Sequence, residues 1–433
     1  MPVKKTAAWS KLDNAAKIFP STREKSDTRV FRFACELYEE INPAVLQRAV
    51  DRAVANFPNY LCVIRKGAFW YYLERRDLHP TVTPEQKRVC GPMVQADQKK
   101  LLFEVSYFRR RINLEMYHVL SDGTGAMQFL KAIVTCYLNE RHAGELPHPA
   151  PILERDSSLS ERTSDSFQKY YEKNKKGRQS LLPPKAYHLT GEKLPEDQLL
   201  AIEGFVSVKE VLRAAHASQA TLTVYLTAVF LEAIRREMSL QARKDPVVLR
   251  IPVNLRQFFP SETARNFFGI IEVQYDFGLR SGEFPDILEQ VARAFAQELT
   301  PDQLSLRMNA LSAMEHNPFI RIAPLPVKNI ALRLARHMSD VGETAVISNV
   351  GRVTMPPELT PYIRSFHVLA STKKLQLCVC SFGDRLQLGF TSAFTSTGLQ
   401  RQFLAVLAEQ GIQAQVASNG FFPAQTPAAG KGD

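Results

Sequence analysis

The sequence predicts an α+β protein of two lobes, each a mixed β-sheet flanked by helices. Three observations carry that prediction. The chain has 433 residues, 45% of them hydrophobic, which is enough for two cores and ordinary for a soluble protein. Its two halves each run through strand-like and helix-like segments in a similar rhythm, although no repeat is visible residue by residue. Between them, from Asn139 to Pro195, the chain turns polar, charged and proline-containing, as in YYEKNKKGRQSLLPPKAYH. We therefore place an N-terminal lobe at residues 10–145, a crossover at 146–195, a C-terminal lobe at 196–418 and a flexible tail at 419–433. Ligand pockets favour such interlobe clefts.

In the first lobe, TRVFRFACELY (Thr28–Tyr38) alternates and reads as a strand. Asn42-Pro43 opens a helix: Pro43 fits a first turn, and Val45, Leu46, Ala49, Val50, Ala53 and Val54 recur at helical spacing until Phe57-Pro58. Asn59–Val63 and Ala68–Glu74 read as a hairpin that turns at Lys66-Gly67. Leu101–Tyr107 and Ile112–Tyr117 read as two strands about the basic turn Arg109-Arg110-Arg111, and Ala126–Leu138 as a helix. The second lobe begins with a strand over Ala201–Val206, a helix over Val208–Ser218 and a long buried helix over Thr221–Ser239. Strands follow at Val247–Pro252 and Ile270–Tyr275, helices at Phe284–Glu298 and Pro301–Ile322, and a strand at Thr344–Asn349. Ile363–Leu369, Lys374–Phe382 and Arg385–Phe394 alternate as three antiparallel strands, and Thr397–Gln410 is a closing amphipathic helix.

Composition excludes several classes. A formal charge of +11 favours an anionic partner. The 55 basic residues are nevertheless mixed with 44 acidic ones and form no aromatic-interleaved stripe, which argues against nucleic acid. The cluster Lys173, Lys175, Lys176 and Arg178 reads as part of a solvated linker. Six scattered cysteines without a Cys-x-x-Cys pair read as reduced core residues, and no metal site is expected. The N-terminus lacks an apolar leader and no run of about twenty apolar residues occurs, so we expect a cytoplasmic protein without a membrane span. A Gly-x-Ser-x-Gly elbow, a Walker loop, Gly-x-Gly-x-x-Gly and His-Glu-x-x-His are all missing. Asp276-Phe277-Gly278 matches the tripeptide of a kinase magnesium loop, but the other kinase motifs are absent.

The chemistry concentrates in LEMYHVLSDGTGAMQFL (Leu114–Leu130). His118 stands at a strand end, Asp122-Gly123 in the turn, and a buried-faced helix follows; strand-end loops are favoured places for catalytic side chains. A neutral imidazole can take a proton from a hydroxyl, amine or thiol and return it to a leaving group. Asp122 either orients His118 as a triad carboxylate does or braces the turn through an arginine. Gly123 allows a positive φ and a close backbone approach that a side chain would obstruct. A histidine with a purely structural role in an ordinary Asp-Gly turn is the competing reading.

His118-x-x-x-Asp122-Gly123 before a helix resembles the signature of the coenzyme A-dependent acyltransferases: chloramphenicol acetyltransferase, the plant BAHD enzymes, alcohol acetyltransferases and peptide-synthetase condensation domains. Four further features fall in the same order: the helix TLTVYLTAVFLEAI, Pro252-Val253-Asn254-Leu255-Arg256, the glycine-containing run Asn266-Phe267-Phe268-Gly269, and Ser348-Asn349-Val350-Gly351. The resemblance spans about residues 10 to 410 and is greatest to bacterial alcohol acetyltransferase-like proteins. It implies two chloramphenicol acetyltransferase-like lobes forming a pseudo-dimer around a channel, with His118 as the general base for direct attack on an acyl thioester. It also implies a structural Asp122 turned toward Arg256, and Ser348, Asn349 or Tyr117 as oxyanion donor or channel lining. Tyr117 replaces the first of two successive histidines common in relatives, a departure that makes condensation of carrier-bound peptides a poorer fit. Acyl-coenzyme A is the implied cosubstrate rather than a bound cofactor, a small alcohol or amine the acceptor, and an acyl-carrier protein an alternative donor. A non-catalytic two-lobed binding protein is the other alternative. No residue is assigned to coenzyme A.

Overall fold

A computed structural model of the chain describes residues 9–86, 88–93, 99–152, 159–172, 185–196 and 198–419. The basic cluster at 173–178 and the tail from 420 onward lie outside the described residues.

Val30–Leu37 and Arg111–Tyr117 are buried along almost their whole length, as central strands must be. They pair antiparallel, Phe33 opposite Leu114, within a five-stranded sheet ordered Ile363–Ala370, Val30–Leu37, Arg111–Tyr117, Phe103–Phe108 and Thr83–Pro84. Only the last pair is parallel. The hairpin expected in this lobe forms from Cys62–Lys66 and Tyr71–Arg75, with Trp9–Lys11 added as a third strand. Helix Pro43–Val54 is capped by the Asn42 side chain and packs with helix Gly123–Arg141.

A seven-stranded mixed sheet organises the second lobe. Its order is Phe268–Tyr275, Val247–Asn254, Ala345–Arg352, Leu375–Phe382, Arg385–Ser392, Leu200–Ser207 and Gln415–Ser418. Ala345–Arg352 runs parallel to both neighbours. Helix Leu222–Glu237, apolar around most of its circumference, is buried against Gly398–Glu409. Each sheet has its own hydrophobic cluster, so the molecule is α+β with two mixed sheets flanked by helices.

Two element assignments change. Ile363–Ala370 does not join the following hairpin but pairs antiparallel with Val30–Leu37 in the first sheet, Val368 opposite Phe33. It also packs on the hairpin strands so closely that a Cβ on Gly389 would lie 2.4 Å from the Val368 carbonyl oxygen. The helix expected over Pro301–Ile322 ends at His316, because Asn317 caps a new short helix, Pro318–Ile322, by accepting from Phe319 and Ile320 N–H. A further helix, Leu325–Val341, was not foreseen. The six cysteines are buried free thiols. Among the described residues no single helix is long and apolar enough to cross a membrane.

A buried polar clamp joins the sheets. His367 donates from Nδ1 to Glu203 Oε1 at 2.8 Å, and Arg111 reaches the other Glu203 oxygen at 3.1 Å. Ser365 Oγ is 3.0 Å from His367 Nε2, with Glu36 at 3.7 Å. Burial pulls the His367 pKa down, but Glu203 and Glu36 outweigh it and hold the group above the ordinary histidine value. Glu203 sits at about 2: burial opposes its ionisation, and His367 and Arg111 overcome it. A raised histidine contributes stability that is complete below its unfolded value, about 6.5, and is lost as pH rises through the folded value. Urea unfolding at pH 6 and pH 9 is expected to show a decline in wild type that His367→Gln removes; an equal decline in the variant contradicts this assignment.

Candidate active site

The chain leaves the Arg111–Tyr117 strand through His118, whose N–H still donates to Arg29 O at 2.9 Å. A turn closes from Leu120 N–H to Tyr117 O, and Asp122 then caps helix Gly123–Arg141 by accepting from Gly125 N–H at 3.1 Å. The glycine requirement falls two residues later than expected. Gly123 is the first helical residue, is not among the positive-φ positions, and would place a Cβ no closer than 3.4 Å to Phe33. At Gly125 a Cβ would lie 2.2 Å from Ala264 O, so the helix start can touch that backbone only as glycine.

That contact is where the second lobe grips the motif. Strand Val247–Asn254 ends in a short turn, Leu255–Gln257, in which the Asn254 side chain accepts from Arg256 N–H. Arg256 Nη1 donates to Asp122 Oδ2 at 2.8 Å and Nη2 to Oδ1 at 3.3 Å. Phe267 N–H also donates to Asp122, at 2.8 Å. Remaining guanidinium N–H groups bond the Thr263 and Arg265 carbonyls. Both partners are buried, with side chains 5% (Asp122) and 8% (Arg256) exposed. The Ser121 hydroxyl and the Tyr60 hydroxyl both donate to Ala264 O, at 2.6 and 3.0 Å. The carboxylate is therefore fully engaged with Arg256 and backbone, as the bracing alternative requires.

His118 takes its partner elsewhere. Its Nδ1 is 3.0 Å from Asn266 Oδ1. The Asn266 amide N–H groups donate to Asp13 Oδ2 at 3.2 Å and to His118 O at 3.1 Å. With both donors directed at acceptors, the amide oxygen faces the ring, which puts the imidazole proton on Nδ1 and the lone pair on Nε2. Asp13 is fully buried; burial pushes its carboxyl up, opposed by Arg265. Around the imidazole, Phe19 stacks at 4.4 Å, Phe31 meets it edge-on at 5.1 Å, and Phe268 lies 5.4 Å away. Burial lowers the His118 pKa below the ordinary histidine value; the Asp122 charge and the Asn266 hydrogen bond oppose this without overcoming it. The ring is thus neutral at pH 7 and held in one tautomer.

The other expected residues are placed differently. Tyr117 sits in the first-lobe core, 4% exposed, its phenol pushed up by burial, so it does not line a channel. Asn349 donates to Thr223 Oγ1 at 2.8 Å and accepts from Gly351 N–H at 2.8 Å. Its amide thus tethers a bulged strand end to the start of helix Leu222–Glu237. Ser348 is half-buried on the same strand, opposite Cys378. A cavity of about 230 Å³ adjoins the motif, lined by Leu120, Trp9, Leu73, Arg75 and Arg265 among others. Among the described residues no group of three metal-ligating side chains occurs. Asn266 entered the sequence reading only as the start of a glycine-containing run. Asp13, Phe19 and Phe31 carried no signal, because a buried partner drawn from a distant segment leaves no spacing to recognise.

No family model and no curated protein matches the sequence. The fold has many solved counterparts. The TRI101 protein of F. graminearum, solved with coenzyme A and T-2 mycotoxin, superimposes with a TM-score of 0.64 at 10% identity, over 94% of this chain and 100% of that one. TRI3 trichothecene 15-O-acetyltransferase from Fusarium sporotrichioides gives 0.60 at 11% identity, over 94% and 96%. The first condensation domain of the CDA synthetase gives 0.57 at 15% identity, over 94% and 97%. The chain thus has the two-lobed fold shared by these acetyltransferase and condensation-domain structures.

Asp122→Ala leaves Arg256 buried without its counter-charge, which costs about 3–5 kcal/mol. Urea denaturation should register that loss for Asp122→Ala and for Arg256→Ala alike. Retention of wild-type stability by either variant contradicts the bracing role.

Proposed function

We propose that the protein is an acyltransferase that moves an acetyl or longer acyl group from acyl-coenzyme A to a small alcohol or amine, with His118 as general base. The observation that carries this reading is the fixed Nδ1–H tautomer: it leaves a basic Nε2 on a neutral imidazole at a strand end. Nε2 accepts the acceptor's O–H or N–H proton as that oxygen or nitrogen attacks the thioester carbonyl carbon. The carbonyl π electrons move to oxygen, giving a tetrahedral oxyanion for which the Ser348 hydroxyl is the proposed donor. Collapse re-forms the carbonyl and breaks the C–S bond, and the imidazolium returns the proton to the departing thiolate. No acyl-enzyme forms, so the absence of a nucleophile elbow is consistent with the scheme. Asp122 acts only through the turn that carries His118. The positive charge balance suits a phosphate-bearing donor. The likeness of fold to acetyltransferases and condensation domains supports acyl transfer as the reaction class.

The test is release of free thiol from a panel of acyl-coenzyme A donors, with acyl-carrier thioesters in parallel, against alcohols and amines. His118→Ala should lower the rate by about two to four orders of magnitude while leaving the fold intact. The acid limb of kcat/KM should fall below the ordinary histidine value of about 6.5, because burial lowers the His118 pKa. Full activity in His118→Ala rejects the base assignment. Saturable binding without turnover by wild type, across the whole panel, rejects the enzyme reading.

A further inference from the structure

Amphipathic helices of water-soluble folds bury their apolar stripe and expose their polar one. Helix Leu325–Val341 departs from this: of its three buried residues, Leu325, Lys328 and Asp340, two are charged. Its inward face carries Lys328, Asn329, Arg336 and Asp340: Lys328 Nζ donates to the Phe69 and Arg321 carbonyls and lies 3.9 Å over the Trp70 ring. Asn329 bonds Ser21 and Tyr71, and Arg336 meets Asp340 at 2.8 Å. The outward face carries Val327, Ile330 and Leu334, which are 56%, 69% and 59% exposed, a spacing of three and four residues that makes one stripe. The preceding short helix adds Phe319 and Ile322, 79% and 69% exposed. Among the described residues this is the largest grouping of exposed large apolar side chains along the chain. From Asn317 to Val341 the bases are Arg321, Lys328, Arg333 and Arg336, and the sole acidic residue, Asp340, is buried.

We infer that the outward face of residues 317–341 is a docking surface for an anionic lipid bilayer. An exposed apolar stripe beside the exposed Arg321 and Arg333, with no exposed carboxylate between residues 317 and 341, is the composition that lies in a membrane interface: the apolar side chains enter the acyl boundary and these two guanidinium groups meet lipid phosphates. It requires no membrane span. The helix behind this face is tied to the candidate site, since Asn329 and Arg333 hold Ser21 and the same segment stacks Phe19 on His118. Docking therefore brings the site close to the bilayer, where apolar acceptors and long-chain donors partition. That last consequence rests on the proposed function; the docking does not.

Flotation of the full chain with vesicles tests it. Wild type should bind phosphatidylcholine vesicles containing phosphatidylglycerol, bind pure phosphatidylcholine far less, and release as salt rises. The exposed triple variant Phe319→Ser/Ile330→Ser/Leu334→Ser should partition about tenfold or more weakly at an unchanged melting temperature. Ile330→Asp alone should weaken binding in the same direction, while Leu279→Ser, at another exposed apolar position, and His118→Ala should leave it unchanged. Wild type remaining in solution with both vesicle types overturns the inference, as does a triple variant that binds like wild type. Loss of a concentration-dependent dimer in the triple variant, without vesicle binding by wild type, reassigns the face to a second copy of the chain. Salt-sensitive binding of an acyl-carrier protein through this face, again without vesicle binding, reassigns it to that partner.

Discussion

The arrangement of the site depends on where one carboxylate points. Asp122 stands four residues from His118 and, in a sequence, looks like the imidazole's orienter. In the structure it is held in a fork with Arg256, accepts from Phe267 and Gly125 N–H, and shares its surroundings with carbonyls that the same arginine binds. Taking two charges out of water is costly, and their attraction compensates only when geometry is good and the remaining N–H groups are satisfied. Here they are, by the carbonyls of Thr263 and Arg265. The pair joins the start of a first-lobe helix to a second-lobe strand end, so the loop that carries His118 is set by contacts from both lobes.

Once Asp122 is committed to that role, the imidazole needs another partner, and Asn266 supplies it. A carboxylate at Nδ1 would raise the pKa and favour imidazolium, whereas a neutral amide oxygen fixes the tautomer without adding charge. Phe19, Phe31 and Phe268 push in the same direction by excluding water. The result is a weaker base than a triad histidine but one that is already deprotonated at neutral pH. That suits the proton transfer proposed for it.

Much of this was legible in the sequence because it is local. The alternation in TRVFRFACELY and in the strand before His118, the Asn-Pro helix start and the His118-x-x-x-Asp122-Gly123 run each depend on a few adjacent residues. The Asp122–Arg256 pair was anticipated through the resemblance, not through any spacing. What was missed is non-local. Ile363–Ala370 has the same alternating pattern as its neighbours, and nothing within it says that its partner is Val30–Leu37 rather than the next strand. Gly123 and Gly125 are indistinguishable until Ala264 O is placed beside the second. Tyr117 and His118 are adjacent, yet one is core and the other faces Asn266. Helix Leu325–Val341 has apolar residues on both faces, Leu325 buried and Val327, Ile330 and Leu334 exposed, so their spacing alone does not say which face is covered.

The central claim is that His118 is a neutral base with its proton on Nδ1. Nitrogen-15 NMR of the histidine-labelled protein, with His118→Gln used to assign the ring, measures this directly. The account predicts a protonated Nδ1 and an unprotonated Nε2 at pH 7, with conversion to imidazolium only below the ordinary histidine range of about 6.5, and loss of the tautomer preference in Asn266→Leu. A proton on Nε2, or an imidazolium at pH 7, would contradict it.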